Sequence, residues 1–348
     1  MKKRLTVTIN DLKKASYMPY KVITNELIPI SDWYRFFQNN LFRSPFQSPD
    51  AYTFFSKIDT IETDVHAVIN EDGDIKALTL VITQKENGIK GFFSKRGILY
   101  GGPLLDDIDA AKELLHYVTN FYRGKVIYLE SRNYFNYERF ANVYKQLKWE
   151  YIPWLNFHLK TDDVKSVHKR MSSGRLRQVK KGIKNGAIWE EPRGKEDVES
   201  FYYILKNLYI NIIKKPLPDL NFFLKFYNVG LGKYFLIYFE GEVIGGIMCP
   251  ILDNKSIYEW YICGKDKEYK DQYPSVLATY AAIDYGLRNN ISYFDFMGAG
   301  PVSDSYGVRE FKARFGGDQV EYGRYRIILN HTLFAIGKTG LQLLARLK

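Results

Sequence analysis

At 348 residues, with 46% hydrophobic and 16% aromatic side chains, the chain is long enough for about two domains with substantial cores, which excludes wholesale disorder. A formal net charge of +11 favours polyanionic partners (nucleic acid, a phosphorylated carrier or an anionic membrane surface), or else marks a generally basic soluble protein. Cys249 and Cys263 both fall in apolar stretches and read as buried free thiols, which suits a reducing cytoplasm.

Met1-Lys2-Lys3-Arg4 is basic, but Asn10 and Asp11 interrupt the stretch after it, and no signal-peptide core forms. No run approaches the ~18 apolar residues that span a bilayer. The alternation of Asp64–Asn70 predicts a strand, with a turn at Glu71-Asp72-Gly73-Asp74 and a second strand over Ile75–Thr83. A third apolar run near Gly91–Leu99 leads to Gly101-Gly102-Pro103; a helix over Ile108–Tyr122 and a strand over Lys125–Glu130 come next. Thr161-Asp162 offers an N-cap for one basic helix, Asp163–Lys184, which Gly186 stops.

The order then recurs. Tyr234–Phe239 and Val243–Ile251 form a hairpin about Glu240-Gly241-Glu242, and Ser256–Cys263 is a third strand. A helix, Ser275–Leu287, leads to a strand, Ser292–Phe296. Two copies of one α/β unit explain the length better than one large sheet. The chain ends in a strand near Tyr322–Leu329 and a helix, Thr332–Leu347, with apolar Leu333, Ile336, Leu343, Leu344 and Leu347 set against Lys338, Arg346 and Lys348.

Tyr293–Gly317 carries the most chemistry. Its strand ends in Asp295 and opens into Gly298-Ala299-Gly300-Pro301, a loop whose backbone can approach a ligand closely. Ser303, Asp304 and Ser305 lead into a helix bearing Arg309, Lys312 and Arg314, with Asp304 as its N-cap. Phe311 and Phe315, four apart, face a core, and Lys312 lies on a neighbouring face where its ammonium can meet negative charge. The alternative is a lysine on a solvated helix face.

Several stretches resemble the Fem family of peptidoglycan-bridge aminoacyltransferases and the related double-GNAT N-acyltransferases. They are RLRQVKKGIKNGA (Arg175–Ala187), GEVIGGIM (Gly241–Met248) and FDFMGAG…FKARFGG (Phe294–Gly317), with weaker likeness in SPFQSPDAY (Ser44–Tyr52) and YGGPLL (Tyr100–Leu105). The likeness spans roughly residues 20–330. It implies a mixed α/β (α+β) chain of two tandem GNAT-like domains, 1–160 and 161–317, with 318–348 returning to pack on the first. The activity implied is transfer of an aminoacyl or acyl group onto an amine of a phosphorylated or lipid-linked cell-envelope precursor, of peptidoglycan or surface polysaccharide. The donor implied is aminoacyl-tRNA or acyl-CoA, with no tightly bound cofactor.

The same resemblance assigns roles. Lys312 matches the lysine that stabilises the oxyanion of a direct attack. Gly298 and Gly300, with Arg309 and Phe311, position a ligand, and Asp295 either orients that loop or accepts a proton. On the acceptor side, Lys57 lies close to the family's N-terminal lysine, and Lys214 and Lys215 come after Asn211, where the family has an arginine. Tyr261 and Tyr273 also fall in acceptor-side regions, core packing being the other reading. Glu130 stands near a family acid, but in the context Glu-Ser-Arg. The basic helix, with Arg175, Arg177, Lys180 and Lys181, is a solvated face, a grip on phosphate or tRNA, or a contact with anionic lipid. The C-terminal helix either packs on its own domain or lies on a membrane.

His66, His116, His158, His168 and His331 are scattered without ligand spacing, so no metal is expected. No phosphate-binding fingerprint appears, and Lys265–Ser275 replaces the pyrophosphate signature of acetyl-CoA enzymes with charged and aromatic residues. Two competitors stand beside the Fem-like reading: an acyl-CoA-dependent N-acyltransferase acting on an amino sugar, and a non-catalytic nucleic-acid or membrane-binding protein. The expected location is the cytoplasm, including the inner face of the membrane.

Overall fold

A computed structural model describes residues 20–84, 95–303 and 307–346, with 340–346 described by backbone alone. The first half runs β1 (Lys21–Thr24), α1 (Ile30–Asn39), α2 (Pro49–Phe55), β2 (Ile61–Ile69), β3 (Ile75–Gln84), β4 (Arg96–Gly101), β5 (Leu104–Leu105), α3 (Ile108–Phe121), β6 (Tyr128–Asn133), α4 (Ala141–Gln146) and β7 (Glu150–Ile152). The second runs β8 (Leu155–Lys160), α5 (Val164–Arg170), α6 (Ser173–Lys184), β9 (Ile188–Glu190), α7 (Lys195–Leu208), one π turn (Tyr209–Ile213), α8 (Leu220–Val229), β10 (Gly232–Phe239), β11 (Glu242–Leu252), β12 (Ser256–Tyr258), β13 (Tyr261–Gly264), α9 (Pro274–Arg288), β14 (Tyr293–Asp295), α10 (Gly307–Ala313) and β15 (Asp318–Glu321). Then come β16 (Arg324–Ile328) and α11 (His331–Arg346).

Two sheets result, ordered β1-β2-β3-β4-β6-β16-β7 and β15-β8-β14-β12-β11-β10-β9; β5 pairs β3, and β13 pairs β11. All ladders are antiparallel except β4–β6 and β12–β14. Each parallel pair closes over one crossover helix, α3 or α9, as a parallel connection requires. This repeated step is the duplication that the sequence predicts.

Strand alternation sorts the core into layers. Along β3, Leu78, Leu80 and Ile82 face the middle of the molecule, and Ala77 and Val81 face α3. Along β10, Tyr234, Leu236 and Tyr238 face the same middle layer, and Phe235 and Ile237 face α9. That shared layer is aromatic: Phe54 meets Phe222 at 5.1 Å, and Phe46 meets Trp260 at 5.0 Å, both edge-on. Lys255 adds a polar tie, its ammonium donating to the carbonyls of Leu41 and Arg43 at 3.1 Å each. Burial, then Arg43, pushes its pKa down to about 8.

Several elements differ from expectation. Asp163–Lys184 is two helices, because Ser172 breaks the chain to cap α6, its hydroxyl accepting from Arg175 N at 3.2 Å. Ser256–Cys263 is interrupted at Glu259-Trp260, where the backbone N–H groups turn to Asp295 O (2.9 Å) and Met248 O (3.1 Å). Leu155–Lys160 and Asp318–Glu321 pair in the second sheet rather than the first, and the chain re-enters the first sheet only at β16. The expected cap Asp304, with Ser305, lies outside the described residues, as do the start of the run at Gly91 and the basic N-terminus. Cys249 and Cys263 are buried and free. Among the described residues, no helix is long and apolar enough to cross a membrane.

Candidate active site

The interruption at Glu259-Trp260 splays the second sheet. There β11 leaves β12 and takes up β13 further along its length. A cavity of about 620 Å³ opens at the splay, walled by Tyr100, Arg132 and Arg324 from the first sheet and by Glu259, Gly298 and Lys312 from the second half. The π turn that ends α7 forms part of the rim, with Ile212 and Lys215 lining it.

Lys312 reaches this wall because Phe315, buried against Phe296 with ring centres 5.9 Å apart, turns α10 inward. Its ammonium is buried and fully engaged: it donates to Phe296 O, to Gly298 O at 2.9 Å, and pairs with Glu259 Oε1 at 3.0 Å. The solvated-face alternative for Lys312 does not hold. Glu259 is also buried, and its Oε2 accepts the Thr279 hydroxyl at 3.2 Å. Burial raises the Glu259 carboxyl above the usual range, against the opposing pull of Lys312. The arrangement is a desolvated ion pair beside a glycine loop. It can pass a proton and place positive charge where negative charge develops.

A polar brace fixes the loop. Asp295 Oδ1 accepts from Met297 N (2.6 Å) and from Asn156 Nδ2 (2.7 Å), and Asp295 Oδ2 lies 2.9 Å from His158 Nε2. Asn156 Oδ1 in turn accepts from Gly298 N at 2.7 Å. Gly298 has φ +114°, and a Cβ there would stand 3.1 Å from Trp154 Nε1, so the position requires glycine. Arg309 holds the far side, donating to Ala299 O at 3.1 Å and to Pro301 O.

Of the residues singled out in the sequence, the cavity wall contains Lys312, Gly298, Gly300, Phe311, Tyr261 and Lys215. Asp295 is fully buried behind the loop and is not part of the cavity wall; its Oδ1 takes the two hydrogen bonds that brace the loop, so it orients the loop and does not face the cavity as a base. Arg309 acts on the loop backbone. Lys214 is exposed just past the π turn, and Lys57 is exposed at the end of α2; neither lines the cavity. Tyr273 sits at the N-terminus of α9, packed in the second core. Arg175 departs most from expectation. It is buried, its guanidinium lies 4.4 Å and 4.5 Å over the rings of Phe311 and Phe315, and it donates to Phe311 O. Burial, then Arg314, pushes its pKa down to about 10. It anchors α10 and is not available to grip phosphate. Arg177, Lys180 and Lys181 are exposed, and Lys181 pairs with Asp271 at 2.7 Å.

Sequence reasoning missed Glu259, Asn156, Arg132 and Arg324. Glu259 had a signal: it is the one charged residue in the otherwise apolar and aromatic run Ile257–Cys263.

The FemAB family model matches residues 246–339. This span covers Glu259, the glycine loop and Lys312, and the resemblance to the Fem family is upheld. Among solved structures, the chain is similar to FemX with a TM-score of 0.70 and 13% identity, over 90% of this chain and 99% of that one. A tandem GNAT protein from the clavulanic acid biosynthesis pathway gives 0.56 and 8%, over 89% and 98%. L-PGS from Bacillus licheniformis gives 0.54 and 13%, over 88% and 96%. A search of curated protein sequences returned no match. The fold is therefore two GNAT-like domains in tandem. The Fem family match over this span, on this fold, supports an acyltransferase in general terms.

Proposed function

We propose that the protein is a Fem-like aminoacyltransferase that moves an aminoacyl group from an aminoacyl-tRNA onto an amine of a peptidoglycan or surface-polysaccharide precursor. The observation that carries this is the buried Glu259–Lys312 pair, 3.0 Å apart, in the wall of a cavity shared by both halves. Glu259, desolvated and correspondingly more basic, takes the proton of the attacking amine. The new C–N bond forms as the ester carbonyl becomes an oxyanion. Neutralising Glu259 leaves the Lys312 charge unbalanced at that moment, and the ammonium exchanges its hold on the carboxylate for the oxyanion. When the ester C–O bond breaks, the departing ribose oxygen takes the proton from Glu259. No covalent enzyme intermediate is required.

The choice of donor rests on the N-terminus of α9. Asp266 already fills that anion-favouring position, its carboxylate accepting from Ser275 N at 3.1 Å and from the Ser275 hydroxyl. A CoA pyrophosphate seated on this helix would have to displace a carboxylate of the same charge. This favours charged tRNA over acyl-CoA, and the exposed Arg177, Lys180 and Lys181 supply a backbone-binding face. The working division is 20–152 with 324–346 for the first domain and 155–321 for the second. The location is the cytoplasm, where charged tRNA is found.

The test is titration of the full chain with charged tRNA and with acetyl-CoA, followed by mass spectrometry of envelope precursors from a deletion strain. Binding of acetyl-CoA alone would favour the amino-sugar acyltransferase. Unchanged precursors, with cellular function surviving Lys312→Ala, would favour a non-catalytic binding protein.

A further inference from the structure

The first domain's share of the cavity wall is cationic, and nothing in the mechanism above uses that charge. Arg324 and Arg132 stand directly opposite each other on the neighbouring antiparallel strands β16 and β6, and Arg326 stands opposite Glu130. Like charges in this relation destabilise a sheet unless something neutralises them. Among the described residues, Glu130 is the one carboxylate paired with any of the three. Its Oε1 accepts from Arg132 Nε at 2.9 Å and Arg324 Nη1 at 3.1 Å, and its Oε2 is taken by both Nε and Nη2 of Arg326. Three guanidinium groups thus share one negative charge.

The excess faces the cavity. Arg326 leans over the Tyr128 and Phe334 rings, at 5.3 Å and 5.9 Å, and does not line the cavity. Arg132 and Arg324 do line it. Both have aromatic neighbours: Arg324 lies 3.6 Å over the Trp154 ring, and Arg132 lies 5.2 Å over the Tyr100 ring and donates from Nη1 to the Tyr100 hydroxyl at 3.4 Å. Burial, then Arg132, pushes the Arg324 pKa down to about 10, whereas for Arg132 burial is outweighed by Tyr100 and Glu130, which hold its pKa above the ordinary value; the less compensated charge of the two is that of Arg324. Guanidinium forks held by fixed neighbours are prepared to pair with two oxygens of a carboxylate or a phosphate and lose little freedom on binding them.

We infer that Arg132 and Arg324 form a subsite for an oxyanion group, a carboxylate or a phosphate, carried by the acceptor. Resting on the transferase reading, the subsite would let the first domain hold the acceptor by its anionic group while its amine reaches Glu259 and Lys312. The donor is left to the glycine loop and the basic helix. The substrate class this names is an amine that also bears a carboxylate or a phosphate.

The test uses the full chain and no turnover. Isothermal titrations at low ionic strength with methyl phosphate and, separately, N-acetylalanine are run on the wild type, Arg132→Gln, Arg324→Gln and the surface control Lys233→Gln. The expected result is one anion per wild-type chain, bound at least ~10-fold more weakly by each arginine variant, about the loss of one charge-assisted hydrogen bond, and equally by the control. The tighter probe tells phosphate from carboxylate. Thermal shift guards against loosened folds: the probe should raise Tm for the wild type and not for Arg324→Gln. Arg324→Lys, which keeps the charge and loses the fork, should fall between them. Charged-tRNA binding should survive in Arg324→Gln. Absence of saturable binding in the wild type, wild-type binding in both arginine variants, or joint loss of probe and tRNA binding would each overturn the subsite. Failure to detect aminoacyl transfer would leave the titrations standing, so the two readings fail separately.

Discussion

Glu259→Gln isolates the proton-transfer step. The substitution keeps the side chain's shape and an oxygen for the Thr279 hydroxyl, and Lys312 keeps its carbonyl partners at Phe296 and Gly298. What is lost is the basic carboxylate. Removing a positioned general base costs roughly 10²–10⁴ in rate, or about 3–5 kcal/mol of barrier at ~1.4 kcal/mol per decade. The pH dependence carries a second signature. Burial raises the Glu259 carboxyl above 4.5, so between 4.5 and the raised value the native state holds a proton that the unfolded chain has released. The stability from this group is complete below 4.5 and is lost as pH rises through the raised value, while the base needed for catalysis appears only above it. Single-turnover transfer from labelled aminoacyl-tRNA, monitored from about pH 5 to 8.5, should show an acid limb in the wild type. The variant should show a low, flat profile. If Glu259→Gln keeps about a third or more of the wild-type rate, or retains the acid limb, the carboxylate is not the base and the reasoning is refuted.

Three other outcomes rest on the same geometry. Burial works against ionisation of Glu130, but Arg132, Arg324 and Arg326 outweigh it and hold the carboxyl down to about 2 against its ordinary 4.5, a difference worth roughly 3 kcal/mol. That stability is present above pH 4.5 and is lost as pH falls through 2, so the deficit of Glu130→Gln in urea unfolding should be full at pH 7 and shrink towards acid. Gly298→Ala forces a Cβ into φ +114° beside Trp154 and should lower stability by about 1–2 kcal/mol and slow transfer more than it weakens tRNA binding, as read from Tm and single-turnover rates. Asp266→Ala empties the N-terminus of α9; it should cost about 1 kcal/mol in thermal stability and, made in the Arg324→Gln background so that the arginine subsite does not contribute, should let pyrophosphate bind where Arg324→Gln alone binds it weakly, as titration would show.

The local part of the fold was legible. The hairpins β2–β3 and β10–β11 announce themselves by alternation around glycine turns, and the loop after Asp295 by its glycines. The site was legible only where its residues cluster in the chain, at Gly298–Lys312. Arg132 and Arg324 meet because β16 inserts between β6 and β7 after the chain has completed the second sheet, a pairing across almost two hundred residues that leaves no local pattern. Arg175 misled for the opposite reason. Its helix is dense in charge, yet the face it occupies is covered by Phe311 and Phe315, and a guanidinium stacked on two rings is buried without a carboxylate. Asp295 looked catalytic because it ends a strand at a loop, but that position also suits an acceptor for the loop's own amides, and the structure uses it so.

Duplication raises the question of why the cavity opens in one copy. In both, the third strand breaks and resumes further along its partner: β4 and β5 along β3, β12 and β13 along β11. In the first copy the gap is plugged. Gln47, fully buried, donates from its amide to Tyr100 O (2.9 Å) and Leu80 O (3.2 Å) and accepts from Leu80 N (2.8 Å), replacing the missing ladder bonds. Tyr137 seals the other side, its hydroxyl donating to Pro103 O at 2.7 Å and lying where any side chain at Gly102 would go. No such wedge enters the second copy among the described residues. There the gap is lined by Glu259 and Lys312, a pair that tolerates burial because each meets the other and further polar partners, the Thr279 hydroxyl for Glu259 and the Phe296 and Gly298 carbonyls for Lys312. One copy has thus given up its cleft to a glutamine and become a wall, and the charges on that wall, Arg132 and Arg324, face the cleft its duplicate has kept. Gln47→Ala should therefore loosen the first sheet, whereas Glu259→Gln, which keeps the Thr279 contact and leaves Lys312 its carbonyl partners, should leave the architecture standing and slow the chemistry.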